Sequence, residues 1–498
     1  LSYSYVAGDR RNPALDLKYL PGDLNGDGLP DAVLGHPEAD IQGVDGGAVY
    51  VYAGVMDGPE PMAEPTQVLS IPGRRHRFAR SLATGDFDKD GQVDLAVGTS
   101  NFDGGLTDNG GLHLFRGVEG GFFEPEPFQV LVGTFSFDNL GHGVGVCDLN
   151  GDGWLDLIGG ARNAENRDLE VQPSNQGALY VFLGDELGFS LKADQVVYGK
   201  VPTESGWVDH PNAKMGFRVA TGDFDGDGAC DVATSSFDFV AMAGGDDDGA
   251  VWLYRGVHAS DAGSGGLTEM PVLAWAGFEG AKGSFLGRRL AMGDLTGDGK
   301  DELIMGQYRE ENPEATSGSN HGAIRVVSGV ELDGFPVPQN FLAPSSIVWS
   351  IHGPVSGDGF GWNAAVADAT GDGLADLLVT SLSGEAPDHP NNTGTVHIYQ
   401  GQEGALPSMD PVRVVPGLAG GDVFGLSAGV LGDLDEDGVP ELFVLAGRDN
   451  TLGMDVGIPY VVRAPAEEAP ETDPPGDDPA PEPPPMHVPL NMPGEASG

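Results

Sequence analysis

Apolar residues in this chain come in short runs bounded by glycine and polar residues. Ala32-Val33-Leu34-Gly35, Leu95-Ala96-Val97-Gly98 and Leu377-Leu378-Val379-Thr380 are examples. Such runs are too short for helices and predict strands. Ahead of each lies a half-apolar stretch of small residues, such as Leu82-Ala83-Thr84-Gly85 or Val219-Ala220-Thr221-Gly222. After a variable polar loop a third run follows, opening at a glycine and rich in aromatic and β-branched residues. It recurs as Val49-Tyr50-Val51-Tyr52, Leu112-His113-Leu114-Phe115, Leu179-Tyr180-Val181-Phe182, Val251-Trp252-Leu253-Tyr254, Ile324-Arg325-Val326-Val327, Val396-His397-Ile398-Tyr399 and Tyr460-Val461-Val462-Arg463. The first six copies close at Gly54, Gly117, Gly184, Gly256, Gly329 and Gly401. A weaker fourth run comes next, as in Gln129-Val130-Leu131-Val132 or Pro411-Val412-Arg413-Val414-Val415. Four strands per unit, repeated around the chain, predict the blades of a propeller.

The repeat is counted by the turn between the first two strands. A nine-residue pattern begins at Asp23, Asp86, Asp148, Asp223, Asp294, Asp368 and Asp433, at intervals of 63, 62, 75, 71, 74 and 65 residues. Seven such units predict an all-β, seven-bladed propeller over residues 1–463. The seventh unit has no fourth run after Arg463. The spare N-terminal run Tyr3-Ser4-Tyr5-Val6 is therefore expected to supply the outer strand of blade seven. From residue 464 to 498 the chain becomes acidic and Pro-rich, and this segment is expected to be a disordered tail or linker.

In the first turn, Asp23, Asn25 and Asp27 place oxygens at loop positions one, three and five. Gly28 permits the sharp bend, Leu29 offers a carbonyl at position seven, and Asp31 ends the loop. The second turn presents Asp86, Asp88, Asp90, Gln92 and Asp94 in the same roles, and the third Asp148, Asn150, Asp152, Trp154 and Asp156. Asp223, Asp225, Asp227, Ala229 and Asp231 form the fourth. Asp294, Thr296, Asp298, Lys300 and Glu302 form the fifth, and Asp368, Thr370, Asp372, Leu374 and Asp376 the sixth. The seventh is Asp433, Asp435, Asp437, Val439 and Glu441. Clustered carboxylates repel one another. Hard oxygen donors without nitrogen or sulfur suit Ca²⁺, so up to seven calcium ions are expected. An EF-hand is excluded, because its bidentate Glu at position twelve is replaced by Leu34, Val97, Gly159, Thr234, Met305, Val379 and Val444. The third-position threonines and the final glutamates predict weaker binding in copies five, six and seven.

These turns resemble those of the FG-GAP repeat family, the seven-bladed propeller of integrin α subunits and many bacterial surface proteins. The family's Phe-Gly element is matched by Met215-Gly216, Leu286-Gly287, Phe360-Gly361 and Phe424-Gly425, with Phe78-Ala79 and Leu140-Gly141 as variants. Repeat one has Leu15-Asp16 near that point. The Gly-Ala-Pro element is loose, with Gly35-His36-Pro37 and Gly159-Gly160-Ala161 the nearest matches. The resemblance implies that calcium loops share one face of the propeller and that a ligand binds the opposite, variable face. The longest variable stretches, Ala161–Gln176, Tyr198–Met215, Ser235–Asp248, Gln307–His321 and Ser381–Thr393, hold Trp207, His210, Phe237, Phe239, Tyr308, His321 and His389.

Composition sharpens this picture. The chain has 76 Asp and Glu against 25 Lys and Arg, a formal net charge of -51, which disfavours nucleic acid and anionic lipid surfaces as partners. Its 80 glycines fit many tight turns. No apolar run approaches the ~20 residues needed to span a bilayer, so no membrane insertion is expected. Cys147 and Cys230 allow one disulfide at most, and both read as packing residues beside the turns. The sequence begins at Leu1 without a leader and reads as a mature form or an excised fragment. No nucleophile motif, zinc cluster or phosphate loop is present, and no catalytic residue is assigned. The expected role is a calcium-stabilised, noncatalytic recognition or adhesion module, part of a larger secreted, cell-surface or periplasmic protein, with a protein or glycan ligand. The alternatives are a calcium-dependent polysaccharide lyase or hydrolase on a propeller, and a ligand-free spacer.

Overall fold

Each repeat folds as a four-stranded antiparallel sheet whose first hairpin carries the acidic turn. The computed structural model describes residues 2–5, 18–54, 65–169, 174–203, 206–240, 248–262, 265–276, 283–313, 320–332, 341–342, 347–384, 392–418, 420–421, 423–434, 437–449 and 456–463. Blade one comprises Lys18–Gly22, Asp31–His36, Ala48–Tyr52 and Gln67–Leu69 in sequence order. The first strands of blades two to seven are Phe78–Gly85, Leu140–Cys147, Arg218–Gly222, Arg289–Gly293, Phe360–Ala367 and Phe424–Gly432. Neighbouring first strands touch in a closed cycle, and the last, Phe424–Gly432, meets Lys18–Gly22 of blade one. The molecule is an all-β, seven-bladed propeller.

Second and third strands supply most of the core, because both of their faces are covered by neighbouring blades. Asp31–His36, Asp94–Thr99, Asp156–Ala161 and Asp376–Ser381 are buried at every position. This explains why they read as continuous apolar runs rather than alternating ones. The apolar clusters straddle blades. Phe87, Leu112 and Leu114 of blade two pack with Leu157, Tyr180 and Phe182 of blade three. Burying one such side chain contributes ~1.5–3 kcal/mol.

The Phe-Gly element is the joint between blades. Its second residue has a left-handed backbone in each matched copy: Ala79 (φ 68), Gly141 (φ 90), Gly216 (φ 95), Gly287 (φ 78), Gly361 (φ 81) and Gly425 (φ 90). The resulting bulge lets the first residue bridge to the glycine that opens the third strand of the preceding blade. Gly47 pairs with Phe78, Gly110 with Leu140, Gly177 with Met215, Gly249 with Leu286 and Gly322 with Phe360. Those opening glycines abut the partner's backbone, so a side chain there would collide with it. Phe78, Phe360 and Phe424 themselves are fully buried. Leu15-Asp16 lies outside the described residues.

Blade seven is completed by the N-terminal strand. Ser2–Tyr5 lies antiparallel to Val456–Arg463, pairing Ser2 with Arg463 and Tyr5 with Tyr460. Val6 lies outside the described residues. Compact unit Leu1–Ala464 contains all seven blades; the second unit, Pro465–Gly498, and with it the expected tail, lies outside the described residues.

The ring is therefore closed by this edge strand together with the apolar packing of blade seven on blade one. Deleting residues 1–8 is expected to lower the melting temperature by several degrees, at about one degree per kcal/mol for a cooperative unit of this size. A calorimetric melt that does not move would show that the ring closes without this strand.

Candidate functional site

The acidic turn is built the same way in each repeat, and its hydrogen bonds assign distinct work to its positions. The position-one carboxylate caps the turn. Asp23 accepts from the N–H groups of Gly26 (2.8 Å), Asp27 (3.1 Å) and Gly28 (2.9 Å). Asp223 accepts from Gly226 (2.7 Å), Asp227 (3.1 Å) and Gly228 (2.9 Å). Asp86, Asp148, Asp294, Asp368 and Asp433 accept from their own turns likewise. The position-five carboxylate accepts from the position-seven N–H. Examples are Leu29 to Asp27 (2.8 Å), Lys300 to Asp298 (2.9 Å) and Val439 to Asp437 (2.8 Å). Position six adopts φ between 84° and 88° at Gly28, Gly91, Gly153, Gly228, Gly299, Gly373 and Gly438. A Cβ would meet little there, so backbone conformation rather than space demands glycine.

Position nine behaves differently from the others. Asp31, Asp94, Asp156, Asp231 and Asp376 are 0% exposed, and Glu302 and Glu441 are 1% exposed. One oxygen of each accepts the position-two N–H, from Leu24 (2.8 Å), Phe87 (2.9 Å), Leu149 (2.8 Å), Phe224 (3.0 Å), Leu295 (2.9 Å), Ala369 (2.8 Å) and Leu434 (2.6 Å). The other oxygen of the five aspartates accepts from the closing glycine of the third strand: Gly54 (2.7 Å), Gly117 (2.8 Å), Gly184 (2.8 Å), Gly256 (3.0 Å) and Gly401 (2.9 Å). That glycine must lack a side chain, since a Cβ at Gly54 would lie 2.5 Å from the Pro30 carbonyl oxygen. The longer glutamates keep the first of these bonds. Burial pushes Asp94 up to about 6, Asp156 to about 7, Asp231 to about 8 and Glu302 to about 7, with nearby loop carboxylates adding to the rise and the backbone donors opposing it.

These donors fit a hard cation. Asp86, Asp88 and Asp94 bring one carboxylate oxygen each within 4.8 Å of one another, and so do Asp223, Asp225 and Asp227. Converging carboxylates are the donor set that a divalent ion would neutralise. Asp435 lies outside the described residues.

Residues from the loop after the third strand reach into three of the turns. Arg255 donates from Nε to Asp225 Oδ2 (2.8 Å) and from Nη2 to Asp227 Oδ2 (2.5 Å). Arg116 pairs with Asp88 (3.1 Å), and Gln400 donates to Asp372 (2.7 Å). All three immediately precede a closing glycine. That shared position was visible in the sequence, but its direction was not, because it depends on how the third strand ends beside the first hairpin.

Adjacent turns are also tied together. Cys147, which precedes Asp148, forms a disulfide with Cys230 at position eight of the fourth turn, with Cα atoms 6.1 Å apart. This corrects the expectation that both cysteines only pack. The residues are 83 positions apart, and the packing of blade three on blade four sets them side by side. The Cys230 N–H also donates to the Asp148 carbonyl (3.0 Å), and the Asp301 N–H to the Asp223 carbonyl (2.8 Å).

The opposite face gathers the second-to-third and fourth-to-first connections. Phe237 joins Phe217 (4.3 Å between ring centroids) and Phe285 (5.8 Å); Phe285 stacks on Tyr308 (5.4 Å), which meets Trp362 (4.9 Å). Phe239 is instead core, packed on Trp252 and flanked by His210. His321 is buried, and Trp207 packs against the same core as Phe239. His389 lies outside the described residues. Sequence reading missed Phe217, Phe285 and Trp362, which sit on or beside the Phe-Gly bulges rather than in long polar loops.

Comparison with known proteins agrees with this architecture. A model described as an FG-GAP-like repeat matches residues 23–97, and the FG-GAP repeat matches residues 140–182 and 360–399. Integrin alpha-8 of Mus musculus is 30% identical over 172 residues, which is 33% of this chain and 14% of that protein. Integrin alpha-5 of Xenopus laevis is 35% identical over 152 residues, 28% of this chain and 14% of that protein. The phosphatidylinositol-glycan-specific phospholipase D of Rattus norvegicus is 35% identical over 143 residues, 27% of this chain and 17% of that protein. The matched stretches thus span about one sixth of these relatives' length. Among solved structures, the V. cholerae biofilm matrix protein Bap1 covers 93% of this chain and 90% of its own, with a TM-score of 0.40 and 10% identity.

Because the disulfide closes a loop of 83 residues, it is expected to contribute about 4–5 kcal/mol by restricting the unfolded chain. The Cys147→Ser, Cys230→Ser double variant should melt well below the parent under oxidising conditions. Equal melting temperatures would show that the ring alone holds these two turns together.

Proposed function

From a chain that carries FG-GAP repeats on a seven-bladed propeller, we propose a calcium-stabilised, noncatalytic recognition module of a secreted or surface protein, binding a ligand on the face opposite the acidic turns. The observation that carries this reading is the division of labour between the two faces. One face repeats a single carboxylate turn whose position-one and position-nine carboxylates accept from the turn's own backbone in each blade. The other presents connections that differ from blade to blade in length, aromatic content and charge. A repeated feature serves the scaffold, and a varied one serves selectivity.

Calcium would be held by the carboxylates at positions one and five and the side-chain oxygen at position three, with the position-seven carbonyl, and by the position-nine carboxylate where its remaining lone pairs allow. Bound there, the ion supplies charge neutralisation to the first hairpin of each blade. The Cys147–Cys230 disulfide favours an oxidising compartment, in keeping with a location outside the cytoplasm. The aromatic and arginine side chains of the variable face give it contact chemistry suited to a macromolecular ligand.

Turn four differs from its neighbours in this scheme. Arg255 lies across the outer oxygens of Asp225 and Asp227, so part of the local negative charge is already balanced by the protein. Burial raises the Asp225 carboxyl and the Asp227 charge adds to it, while Arg255 opposes both. This turn should hold calcium more weakly than turn three, where Leu183 occupies the position equivalent to Arg255.

Two measurements test the proposal. Chelation of calcium is expected to lower the melting temperature by more than ten degrees and millimolar calcium to restore it; a melt indifferent to both would remove calcium from the account. Arg255→Gln is expected to tighten one calcium site by roughly tenfold in titration calorimetry, about 1.4 kcal/mol for a partly screened charge. An unchanged set of affinities would mean that the guanidinium does not compete.

A further inference from the structure

One segment of blade four touches two acidic turns at once. Residues 255–259 follow the third strand of that blade, Ala250–Tyr254. Against turn four, Arg255 holds Asp225 and Asp227, and His258 Nε2 lies 3.3 Å from the Asp227 carbonyl oxygen. Against turn three, the Ala259 N–H donates to the Asn150 carbonyl (2.9 Å). The His258 imidazole seats on Gly151, where a Cβ would lie 2.4 Å from its Nδ1. Gly256 abuts both turns: a Cβ there would stand 2.3 Å from the Cys230 carbonyl oxygen and 2.7 Å from that of Leu149. The turns also bond directly, through the Cys147–Cys230 disulfide and the Cys230 N–H on the Asp148 carbonyl. Positions one, two and three of turn three thus all rest against blade four. Turn five has a similar support, since the Thr296 carbonyl accepts from Gly404 of blade six (2.6 Å). The covalent link is peculiar to turns three and four, because the chain has two cysteines.

We infer that turns three and four bind metal as a coupled pair, in which occupation of turn four positions the oxygen donors of turn three. This coupling rests on the calcium reading above and adds a dependence of one site on another. An empty turn must order its donors when an ion arrives, and that ordering opposes binding. An ion in turn four fixes Asp223, Asp225 and Asp227, and Cys230 follows three residues later in the same turn. Cys230 and His258 then hold Asp148, Asn150 and Gly151 in place, so less order remains to be imposed on turn three. The route does not pass through the Arg255 guanidinium, which competes with the ion for Asp225 and Asp227. Linkage makes the effect reciprocal, and turn three favours turn four by the same factor. Direct repulsion between two bound cations has the opposite sign and is screened by salt. The sign of the coupling therefore separates transmission through Cys230 and residues 255–259 from charge acting through space.

The test uses the full chain and terbium(III), an oxygen-seeking ion that stands in for calcium and luminesces when excited through a nearby indole. Trp154, at position seven of turn three, is the chain's one tryptophan within an acidic turn, so indole-excited emission reports that turn. Saturable emission that is lost in Trp154→Phe is expected. Asp223→Asn and, separately, Asp227→Asn each remove a carboxylate of turn four. Each is expected to raise the terbium concentration that half-saturates turn three at least fivefold. The position-one change in turn six, Asp368→Asn, should leave it within twofold, which tells coupling from a general loss of stability. In a chain carrying Cys147→Ser, Cys230→Ser and Ala259→Pro, turn three should bind weakly whether or not Asp223 is replaced. Proline is tolerated at the start of the short helix Ala259–Ala262 and deletes the N–H that reaches Asn150. A half-saturation that the turn-four variants leave unmoved, or lower, overturns the inference while leaving metal in the turns. An equal shift from Asp368→Asn does the same. Absence of any Trp154-dependent emission overturns it together with the calcium reading.

Discussion

The interaction on which the architecture depends is the buried carboxylate at the end of each acidic turn. Its two oxygens reach two backbone N–H groups that lie far apart in the sequence. One belongs to the start of the same turn, and in the aspartate copies the other belongs to the glycine ending the third strand. A single side chain thereby fixes the hairpin and anchors the exit of the strand that packs on it. The arrangement also places a carboxylate where water does not reach, which explains the raised proton affinities of Asp94, Asp156, Asp231 and Glu302. Buried charge of this kind must be balanced by donors, by a proton or by a cation. In the five aspartate copies the glycine at the strand exit, the glycine at position six and the aspartate at position nine thus act together, while Glu302 and Glu441 keep the bond within the turn.

Much of this was legible in the sequence because the same local physics is written seven times. The strand order, the acidic hairpin and the opening and closing glycines all repeat in register, and repetition separates a built feature from a chance turn. What the sequence did not reveal depends on how strands and neighbouring blades pack once folded. Cys147 and Cys230 belong to different blades, and nothing local to either marks the other as its partner. Arg255 and Arg116 follow a third strand, yet they act on a turn that precedes that strand. The aromatic residues of the variable face divided in a way that loop length could not foretell. Phe239 went into the core beside Trp252, whereas Phe237, two positions earlier, joined the surface cluster. A change of one pleat in extended chain reverses neither residue's face, so the curvature of the connection after the second strand decided the outcome.

Both ends of the blades mix charges, but in different ways. Along the innermost strand Phe78–Gly85, Arg80 and the Asp86 turn are separated by roughly 20 Å of extended chain. At the turn end each blade repeats clustered carboxylates, into which Arg116 and Arg255 reach in two blades. At the other end guanidinium groups lie on aromatic rings, and Asp238 and Glu310 pair with Arg162 and Arg325. Charge is thus balanced locally at both ends, and the fields that remain weaken as salt shortens the screening length.

Closure by Ser2–Tyr5 also sets the order of events in biosynthesis. Ser2–Tyr5, made before the blades, hydrogen-bonds with Val456–Arg463, made after nearly all of them. Bringing those ends together carries a loop-closure term of about 5 kcal/mol for a chain of this length, unless the intervening blades have already formed and curved the chain back on itself. A nascent chain would therefore stack blades progressively while Ser2–Tyr5 waited with an unsatisfied edge. The finished ring would appear only once Val456–Arg463 had been delivered, which leaves a long interval in which that edge is open to chaperones or to a second copy of the same sequence.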